Sequence, residues 1–392
     1  MKKLTSVVAI MAVFTLAVCF VMIGAASVEM KDNLGVDNDS IGLMVLLFFL
    51  TCMIVQLLVG PMVDKFGHKP LAIVGFLVVS VSIFLLAFAA SFLWAVIAAI
   101  LLGIGAICCN TVGNTLLPVV LFDGKDPARA SNFGNAFVGL GFALPPLLIG
   151  VLMTDIGLSY AATLSIIAAV ILVFAFFSMA SAYPQVSTGF ELSMAVKLLA
   201  KPMVLIAALA LVCYIALEST MNAWIKTLMT DLFDSSVNPN AVRNASLVLT
   251  GFALAMAVGR FITSTIKNLT QIGPKIIAAM SLVSVISIVV MCVTQSPLVA
   301  ILAVLVTGLA FAPMFPTIVG VTFSKFDAGL YGSIFGIIFS VGLLGPTFLP
   351  FVIGKLSVGR SIQQTLPIAA VVAGALLVIA LVMNSIAKSK EK

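Results

Sequence analysis

Residues 60–70 have the sequence Gly60-Pro61-Met62-Val63-Asp64-Lys65-Phe66-Gly67-His68-Lys69-Pro70, a charged turn between apolar runs at 41–62 and 71–90. Gly60 lets a neighbouring helix approach closely. Gly67 permits a tight reversal of the chain, because glycine has no side chain to restrict its backbone. Asp64 stands where a carboxylate can meet a helix N-terminus or a basic partner. The turn therefore predicts two apolar helices joined by a short polar loop.

The composition is that of a membrane protein. Of the 392 residues, 62% are hydrophobic and 9% are charged, whereas soluble domains carry about 25% charged residues. A helix needs about 20 apolar residues to cross a bilayer, so the chain has room for about a dozen crossings. The net charge of +6 comes without a basic patch interleaved with aromatics. We therefore expect contact with an anionic lipid bilayer and no binding of nucleic acid.

Apolar runs bounded by charges, Gly or Pro predict twelve membrane-spanning helices, called spans 1 to 12. In order they are 5–28, 41–62, 71–90, 93–121, 131–153, 158–182, 202–230, 244–266, 276–293, 298–323, 331–354 and 366–386. The first run resembles a signal peptide, but it is long and further spans follow it directly, so we interpret it as span 1. The sequence predicts an all-α membrane protein.

The chain also contains an internal repeat. A shift of 204 residues superimposes Pro146 of span 5 on Pro350 of span 11, together with neighbouring glycines. Inverted or parallel repeats of this kind are common in transporters. We predict two pseudo-symmetric six-helix halves, 1–182 and 202–392, joined by a central cytoplasmic loop at 183–201.

The loop charges predict the orientation. With the N-terminus inside, fourteen loop lysines and arginines fall on the cytoplasmic side and four on the outer side. Cytoplasmic loops carry an excess of positive charge. We therefore predict a multi-pass protein of the cell (inner) membrane with both termini in the cytoplasm.

The 60–70 turn resembles the loop 2–3 signature of the major facilitator superfamily, G-x-x-x-D-[RK]-x-G-[RH]-[RK], and the twelve-span repeat extends the resemblance over the whole chain. The resemblance implies secondary transport by alternating access, with a loop that latches the cytoplasmic gate. The gate residues that it implies are Gly60, Asp64, Lys65, Gly67, His68 and Lys69.

The second half carries a degenerate copy of the turn. Arg260 precedes it, and Thr270 stands where the carboxylate should be. Arg260 is predicted to lie about two turns inside span 8. We interpret it as a further gate contact; the alternatives are snorkelling to the interface and, less favoured, direct substrate binding.

Span 7 carries the most informative polar residues. Tyr214, Glu218, Asn222 and Lys226 recur every four residues and share one face, with Trp224 nearby. A charge inside the bilayer costs roughly 2.5–3.5 kcal/mol on insertion scales, so it normally faces a cavity. Glu218 is predicted to be a coupling site or a ligand for substrate hydroxyls. The alternatives are a neutral carboxyl group that only packs between helices and an ion pair with Lys226.

Span 7 also resembles that of the fucose/glucose–cation symporter group, in which a tyrosine, an acid and a tryptophan share a helix. The resemblance implies a neutral, sugar-like substrate. Four buried-span amides are further binding candidates, with interhelical hydrogen bonding as the alternative. They are Gln56, Asn110, Asn114 and Asn135. No central pair of basic residues is available to hold an organic anion with several charges.

The sequence therefore predicts a secondary active transporter, not an enzyme, that takes up a neutral sugar-like metabolite with a proton or cation. The alternative is an exporter of amphipathic compounds or metabolites by proton antiport, although span 4 lacks the arginine usual in such exporters; a membrane receptor that keeps the fold is a third. No phosphate-binding loop points to ATP, and the six cysteines lie in apolar segments without a CxxC pair. We expect no cofactor, no metal and a monomer.

Overall fold

The computed structural model describes residues 2–184, 197–233 and 239–389, so most of the predicted central loop 183–201 lies outside the described residues. Across these ranges the chain is helical, without a strand. The α-helices are Lys2–Ala25, Ser27–Leu34, Asn38–Phe66, His68–Ala87, Phe92–Val120, Pro127–Ile149, Tyr160–Ala180, Pro202–Leu232, Ala241–Ser264, Leu269–Val293, Pro297–Phe311, Met314–Phe323, Tyr331–Gly342, Leu344–Leu356, Ile362–Thr365 and Pro367–Ser389.

Twelve helical segments of the described chain are long and apolar enough to cross a membrane, one for each predicted span. They are Lys3–Ala25, Ser40–Phe66, His68–Ala87, Phe92–Val120, Pro127–Met153, Tyr160–Ala180, Pro202–Leu232, Arg243–Ser264, Leu269–Val293, Pro297–Phe323, Ala328–Leu356 and Ile362–Ile386, and the span numbers refer to them from here on. The predicted all-α fold with twelve membrane-spanning helices is confirmed.

Several helices begin before the apolar run that predicted them. Span 3 starts at His68 rather than 71, and span 9 starts at Leu269 rather than 276. Apolar residues mark the part of a helix that lies in hydrocarbon, whereas backbone hydrogen bonding continues into the polar zone. Pro70 does not prevent the early start of span 3, because a proline is tolerated in the first helical turn.

Spans 10 and 11 are interrupted near their middles. Span 10 consists of Pro297–Phe311 and Met314–Phe323, and span 11 consists of Tyr331–Gly342 and Leu344–Leu356. The break in span 10 has a clear chemical cause. Pro316 has no N–H, so the carbonyl of Ala312 loses the donor that a regular helix would supply four residues later.

The chain divides into two compact units. Unit 1 comprises Met1–Gly124, Phe137–Val196 and Asp327–Gly336; unit 2 comprises Lys125–Ala136, Lys197–Phe326 and Ile337–Lys392. The first residues of span 5 thus belong to unit 2, and the first residues of span 11 belong to unit 1. Several of the polar contacts described below involve these two short segments.

Within each unit, hydroxyl groups tie neighbouring helices together. In unit 1, the Ser80 hydroxyl of span 3 donates to the carbonyl of Ala168 in span 6 at 2.8 Å. In unit 2, the hydroxyls of Ser287 and Thr307 meet at 2.7 Å between spans 9 and 10. Such bonds are common between membrane helices, because lipid offers polar groups no other partner.

Candidate functional site

Spans 7 and 8 of unit 2 bring a buried acid and base together. Glu218 and Tyr214 lie one turn apart on span 7, and Arg260 reaches them from span 8. The Nη2 atom of Arg260 lies 3.7 Å from Oε1 of Glu218, and the two side chains are 6% and 21% exposed, respectively. The same nitrogen donates to the Tyr214 hydroxyl at 3.4 Å. The structure thus pairs Glu218 with Arg260 rather than with Lys226, which is exposed.

Main-chain carbonyls hold the Arg260 guanidinium in place. Its Nε donates to the carbonyl of Ala312 at 3.3 Å, the oxygen that Pro316 leaves without a helical donor. Its Nη1 donates to the carbonyl of Asn135 in the first part of span 5 at 3.2 Å. Arginine has five N–H donors in a planar fork, so one side chain joins spans 5, 7, 8 and 10. The broken helix of span 10 provides a polar acceptor for a buried cation.

The two members of the ion pair are held differently. Arg260 keeps neutral acceptors on three of its nitrogens, whereas Glu218 is the more exposed partner and its carboxylate lies beyond hydrogen-bond distance of the guanidinium. Removing one charge from a buried pair normally leaves the other uncompensated. Here the carbonyls would continue to satisfy the guanidinium if Glu218 became neutral. The arrangement can therefore bind and release a proton at Glu218 while Arg260 stays in place.

The other predicted residues of span 7 do not join this pair. Asn222 is exposed, and its Nδ2 donates to the backbone carbonyl of Glu218 at 2.9 Å. Trp224 is half-buried, and its indole N–H donates to the carbonyl of Pro350 in span 11 at 3.1 Å. The ring also packs beside Gly354. The four-residue spacing therefore identifies one face of span 7. On that face Tyr214 and Glu218 contact Arg260, whereas Asn222 does not.

The predicted amides of unit 1 form one buried chain. The Gln56 amide nitrogen donates to the Thr111 hydroxyl at 3.0 Å, and the Asn110 amide nitrogen donates to the Gln56 side-chain oxygen at 3.4 Å. Asn114 in turn donates to the Asn110 side-chain oxygen at 2.8 Å. The three amide residues are at most 1% exposed. In this conformation they bond to one another between spans 2 and 4, and substrate binding by them stays a prediction.

Asn135 lies apart from those amides, in unit 2. It is 3% exposed, and its side-chain nitrogen donates to the carbonyl of Ser131 at 3.0 Å. Its contact with Arg260 uses the backbone carbonyl rather than the side chain. Asn135 thus contacts the ion pair through its backbone carbonyl, and not through the side-chain amide that made it a binding candidate.

Asp64, at the end of span 2, caps the start of span 11 within unit 1. Its Oδ1 accepts from the backbone N–H of Gly332 at 2.8 Å, and its Oδ2 accepts from that of Ser333 at 2.7 Å. The first N–H groups of a helix have no partner inside it, and the helix dipole favours a negative charge there. Gly60 allows this approach, because a Cβ on Gly60 or on Gly332 would overlap the backbone of the other. Asp64 therefore meets a helix N-terminus rather than a basic side chain.

The remaining residues of the 60–70 turn have separate environments. Gly67 has a φ of +80° and its N–H donates to the carbonyl of Val63, so it ends one helix directly before the next begins. Lys65 and Lys69 are exposed. His68 is only 3% exposed, and its Nε2 lies 3.1 Å from the Thr115 hydroxyl of span 4. The histidine thus packs inside unit 1 instead of joining the lysines at the surface.

Asp126, which the sequence analysis missed, makes a second carboxylate cap. Its Oδ2 accepts from the N–H of Leu269 at 2.9 Å, and its Oδ1 accepts from the N–H and the hydroxyl of Thr270 at 3.0 and 2.6 Å. One sequence signal pointed to it: Asp followed by Pro127 is typical of a helix N-cap with proline at the first position. A second signal was that position 270, where the repeated turn would carry an acid, is a threonine, so an acid from elsewhere could take its place.

Comparison with known proteins identifies the fold. The family model described as Major Facilitator Superfamily matches residues 8–350. FucP, described as a Major Facilitator Superfamily transporter in the outward conformation, superimposes with a TM-score of 0.77 at 17% identity, covering 96% of this chain and 98% of FucP. A variant of the E. coli fucose:proton symporter FucP gives 0.75 at 17% identity and 97% coverage of both chains.

The proton:xylose symporter XylE, bound to 6-bromo-6-deoxy-D-glucose, superimposes with a TM-score of 0.75 at 13% identity, covering 96% of this chain and 94% of XylE. No curated protein sequence matches the chain significantly. At these identities the structural neighbours show the fold alone.

Proposed function

Because the chain belongs to the Major Facilitator Superfamily, we propose that it is a secondary active transporter that couples proton or cation movement to the uptake of a small neutral, sugar-like metabolite by alternating access. It works as a monomer in the cell (inner) membrane, with both termini in the cytoplasm. Two structural neighbours are described as proton symporters for fucose and for xylose. Their fold supports the proposal, and the contacts of this chain's own residues give it a mechanism.

The observation that carries the proposal is the buried pair of Glu218 and Arg260. Ionisable residues within membrane spans are costly and are usually retained for a function. A purely structural pair would be expected to have short, direct hydrogen bonds between its charges. This pair is separated by 3.7 Å, and its base is held by backbone carbonyls instead. Such an arrangement favours a change of charge at the acid.

A transport cycle follows from this asymmetry. When Glu218 takes up a proton, its attraction to Arg260 is lost, and Arg260 keeps its bonds to Ala312 and Asn135. Span 7 then keeps the 3.4 Å bond between the Tyr214 hydroxyl and the guanidinium, which restrains it less than the ion pair does. When the proton leaves on the other side of the membrane, the charge attraction returns. One proton moves with each cycle, and the same logic holds if a cation takes the place of the proton beside Glu218.

The Asp64 contact supplies the reversible gate in this proposal. Each hydrogen bond to a charged group contributes about 1.5–3 kcal/mol, and Asp64 accepts two from the start of span 11. Contacts of this strength hold one state firmly and still break on the time scale of transport. The exposed Lys65 and Lys69 keep the same turn at the cytoplasmic lipid surface.

A neutral substrate fits the charges available. Arg260 is the basic group at this site, and Glu218 and two carbonyls already occupy it. An anion with several charges would need further basic side chains around it. Its binding energy would also have to offset the desolvation of those side chains. Hydroxyl groups could instead bond to the exposed side of Glu218 and to Asn222 on the same face of span 7.

The direct test is transport by purified protein in liposomes. A thermal-shift screen of sugars, amino acids, carboxylates and lipophilic cations first identifies a ligand, with fucose and xylose among the sugars. We expect that ligand to accumulate in right-side-out vesicles under an inward proton gradient and to leak away when a protonophore is added. Net depletion under the same gradient would identify the export alternative. Binding without any flux would contradict a transport function.

A further inference from the structure

We propose that Arg260 is a tethered cation: its guanidinium fills a site whose four oxygens are spaced for it, so that protons but no metal ion reach Glu218. The inference rests on the proposed function and deepens it, because it names the coupling ion that the function leaves open between a proton and a metal cation. The residues that form the site all belong to unit 2.

Four oxygen atoms from three spans surround the guanidinium. Two are the main-chain carbonyl oxygens of Ala312 and Asn135, which lie 3.3 Å from Nε and 3.2 Å from Nη1 of Arg260. The others are the Tyr214 hydroxyl and Oε1 of Glu218, which lie 3.4 and 3.7 Å from Nη2. Each of the three nitrogens therefore faces an oxygen, and the planar fork of an arginine matches that arrangement.

The break in span 10 supplies the acceptor that makes this a cation site. The carbonyl of Ala312 lies at the C-terminal end of Pro297–Phe311, where the helix dipole favours a positive charge. Pro316 lacks the N–H that would otherwise bond to this oxygen. In other transporters, unwound carbonyls and half-helix C-termini of this kind coordinate coupling ions. The position of the Ala312 oxygen is therefore determined by span 10, and not by the arginine.

Close packing fixes other parts of the site. The Tyr214 side chain is fully buried, and its ring lies against Phe311 and Phe315, with centroids 5.9 and 6.3 Å away. A Cβ on Gly259 would lie 2.5 Å from the Cβ of Ala312, so this glycine lets span 8 reach the break in span 10. The oxygens thus keep their positions through contacts of their own, and the site would persist if the guanidinium were removed.

Two properties of the site keep metal ions away from Glu218. The first is occupancy, because the permanently charged guanidinium repels a second cation at short range. The second is spacing: the oxygens lie 3.2–3.7 Å from the guanidinium nitrogens, whereas a hard cation such as Ca²⁺ binds oxygen at about 2.3–2.6 Å. A proton needs only one carboxylate oxygen. The geometry therefore favours the proton over a metal cation as the coupling ion.

The test replaces the tethered cation by a free one. Arg260→Ala removes the guanidinium and its two nearest methylenes, and N-ethylguanidinium supplies the same groups. We expect the variant to melt roughly 5 °C below the unmodified protein, because Glu218 is left without its partner. N-ethylguanidinium chloride should restore most of this loss by mass action. Equal concentrations of NaCl, KCl, choline chloride or N-ethylurea, a neutral molecule of the same shape, should restore none.

Arg243→Ala is the matched control, because Arg243 is exposed on the same span. It should melt like the unmodified protein and respond to none of the additives. Failure of N-ethylguanidinium to raise the melting temperature of Arg260→Ala would rule out a preformed cation site. An equal rise with N-ethylurea would do the same, since the charge would then be irrelevant. A rise with NaCl or KCl beyond that with choline chloride would show that the site accepts metal ions and would overturn the inference.

A measurement on the unmodified protein decides the question even if Arg260→Ala does not fold. Its melting temperature should be the same in NaCl as in choline chloride of equal concentration. Specific stabilisation by Na⁺ would overturn the inference, because a metal ion would then have a site beside the arginine.

Uptake into liposomes separates this inference from the proposed function. With the ligand found in the thermal-shift screen, an inward proton gradient should drive accumulation, and an inward Na⁺ gradient at equal pH should not. Accumulation driven by Na⁺ alone would overturn the inference and leave the transport proposal standing. Absence of flux with both ions would contradict the proposed function, and the melting curves, which need no substrate, would still decide the inference.

Discussion

The Arg260 guanidinium lies 3.7 Å from the Glu218 carboxylate, farther than from any of the three neutral oxygens to which it donates. The base is thus anchored by the Ala312 and Asn135 carbonyls, and the acid is the partner that can change its charge or its position. This asymmetry makes the roles of the two residues separable by mutation.

We predict that Glu218→Gln abolishes ion-driven accumulation of substrate while exchange of substrate across the membrane persists. The amide keeps the size of the side chain but cannot cycle between charged and neutral forms. Uptake under an imposed proton gradient and counterflow without a gradient measure the two activities. Asp231→Asn, an exposed acid on the same helix, should leave both unchanged. Normal accumulation by a well-expressed Glu218→Gln protein would rule out the coupling role.

Asp64→Asn should slow transport with little effect on substrate affinity. The substitution removes the charge at the start of span 11 and one of the two acceptor oxygens, so this contact loses about 1.5–3 kcal/mol of stabilisation. Initial rates of uptake over a range of substrate concentrations separate the maximal rate from KM. Asp231→Asn, which removes an exposed acid from span 7, is the control. A large rise in KM with a normal maximal rate would contradict the gate assignment.

Gly332→Ala should disturb the same contact by steric overlap. An added Cβ would lie 2.7 Å from Oδ1 of Asp64 and would overlap the carbonyl of Gly60. We expect slower transport and a lower melting temperature in detergent. Gly42→Ala is the matched control on span 2, because nothing lies within 4 Å of its added Cβ. It should be neutral or stabilising by about 0.5–1 kcal/mol, as expected for Gly→Ala within a helix. Equal behaviour of the two variants would exclude the close approach.

Gln56→Leu tests the role of the buried amides of unit 1. Removal of the amide leaves the Asn110 nitrogen without its Gln56 acceptor, and an unsatisfied buried polar group costs about 1–3 kcal/mol. We therefore expect a lower melting temperature and an unchanged KM. The measurement is a thermal-unfolding curve of the purified variant, followed by uptake kinetics. A raised KM at normal stability would place Gln56 in contact with the substrate instead.

Much of the fold could be predicted because its signals are local. Runs of about 20 apolar residues identify membrane helices wherever they occur, and each of the twelve predicted runs lies within or largely overlaps an observed span. The reversal at Gly67 was equally predictable, because its backbone angle is one that glycine adopts readily. Helix ends were predicted less well, since polar first turns such as that of span 9 carry no apolar signal.

The site was predictable only in part. The four-residue spacing on span 7 found Tyr214 and Glu218, but it also included Asn222 and Lys226, which the fold leaves exposed. His68 was predicted as a gate residue beside Lys65 and Lys69, and the fold packs it against Thr115. Asp126 was missed because its partner Thr270 is 144 residues away in the chain. Spacing along one helix says nothing about which other helix meets it.

The amino-acid sequence alone specified that this protein lies in a membrane, the number of its membrane-spanning helices and the reversal of the chain at Gly67. Hydropathy, charge and glycine geometry act over a few neighbouring residues, so they can be recognised without the fold. Only the tertiary structure decided which partners the buried charges have. Arg260 meets the carbonyl of Asn135 across 125 residues, and Asp64 meets Gly332 across 268. Low-dielectric surroundings require every buried charge to find a partner, and the packing of distant helices determines where that partner is.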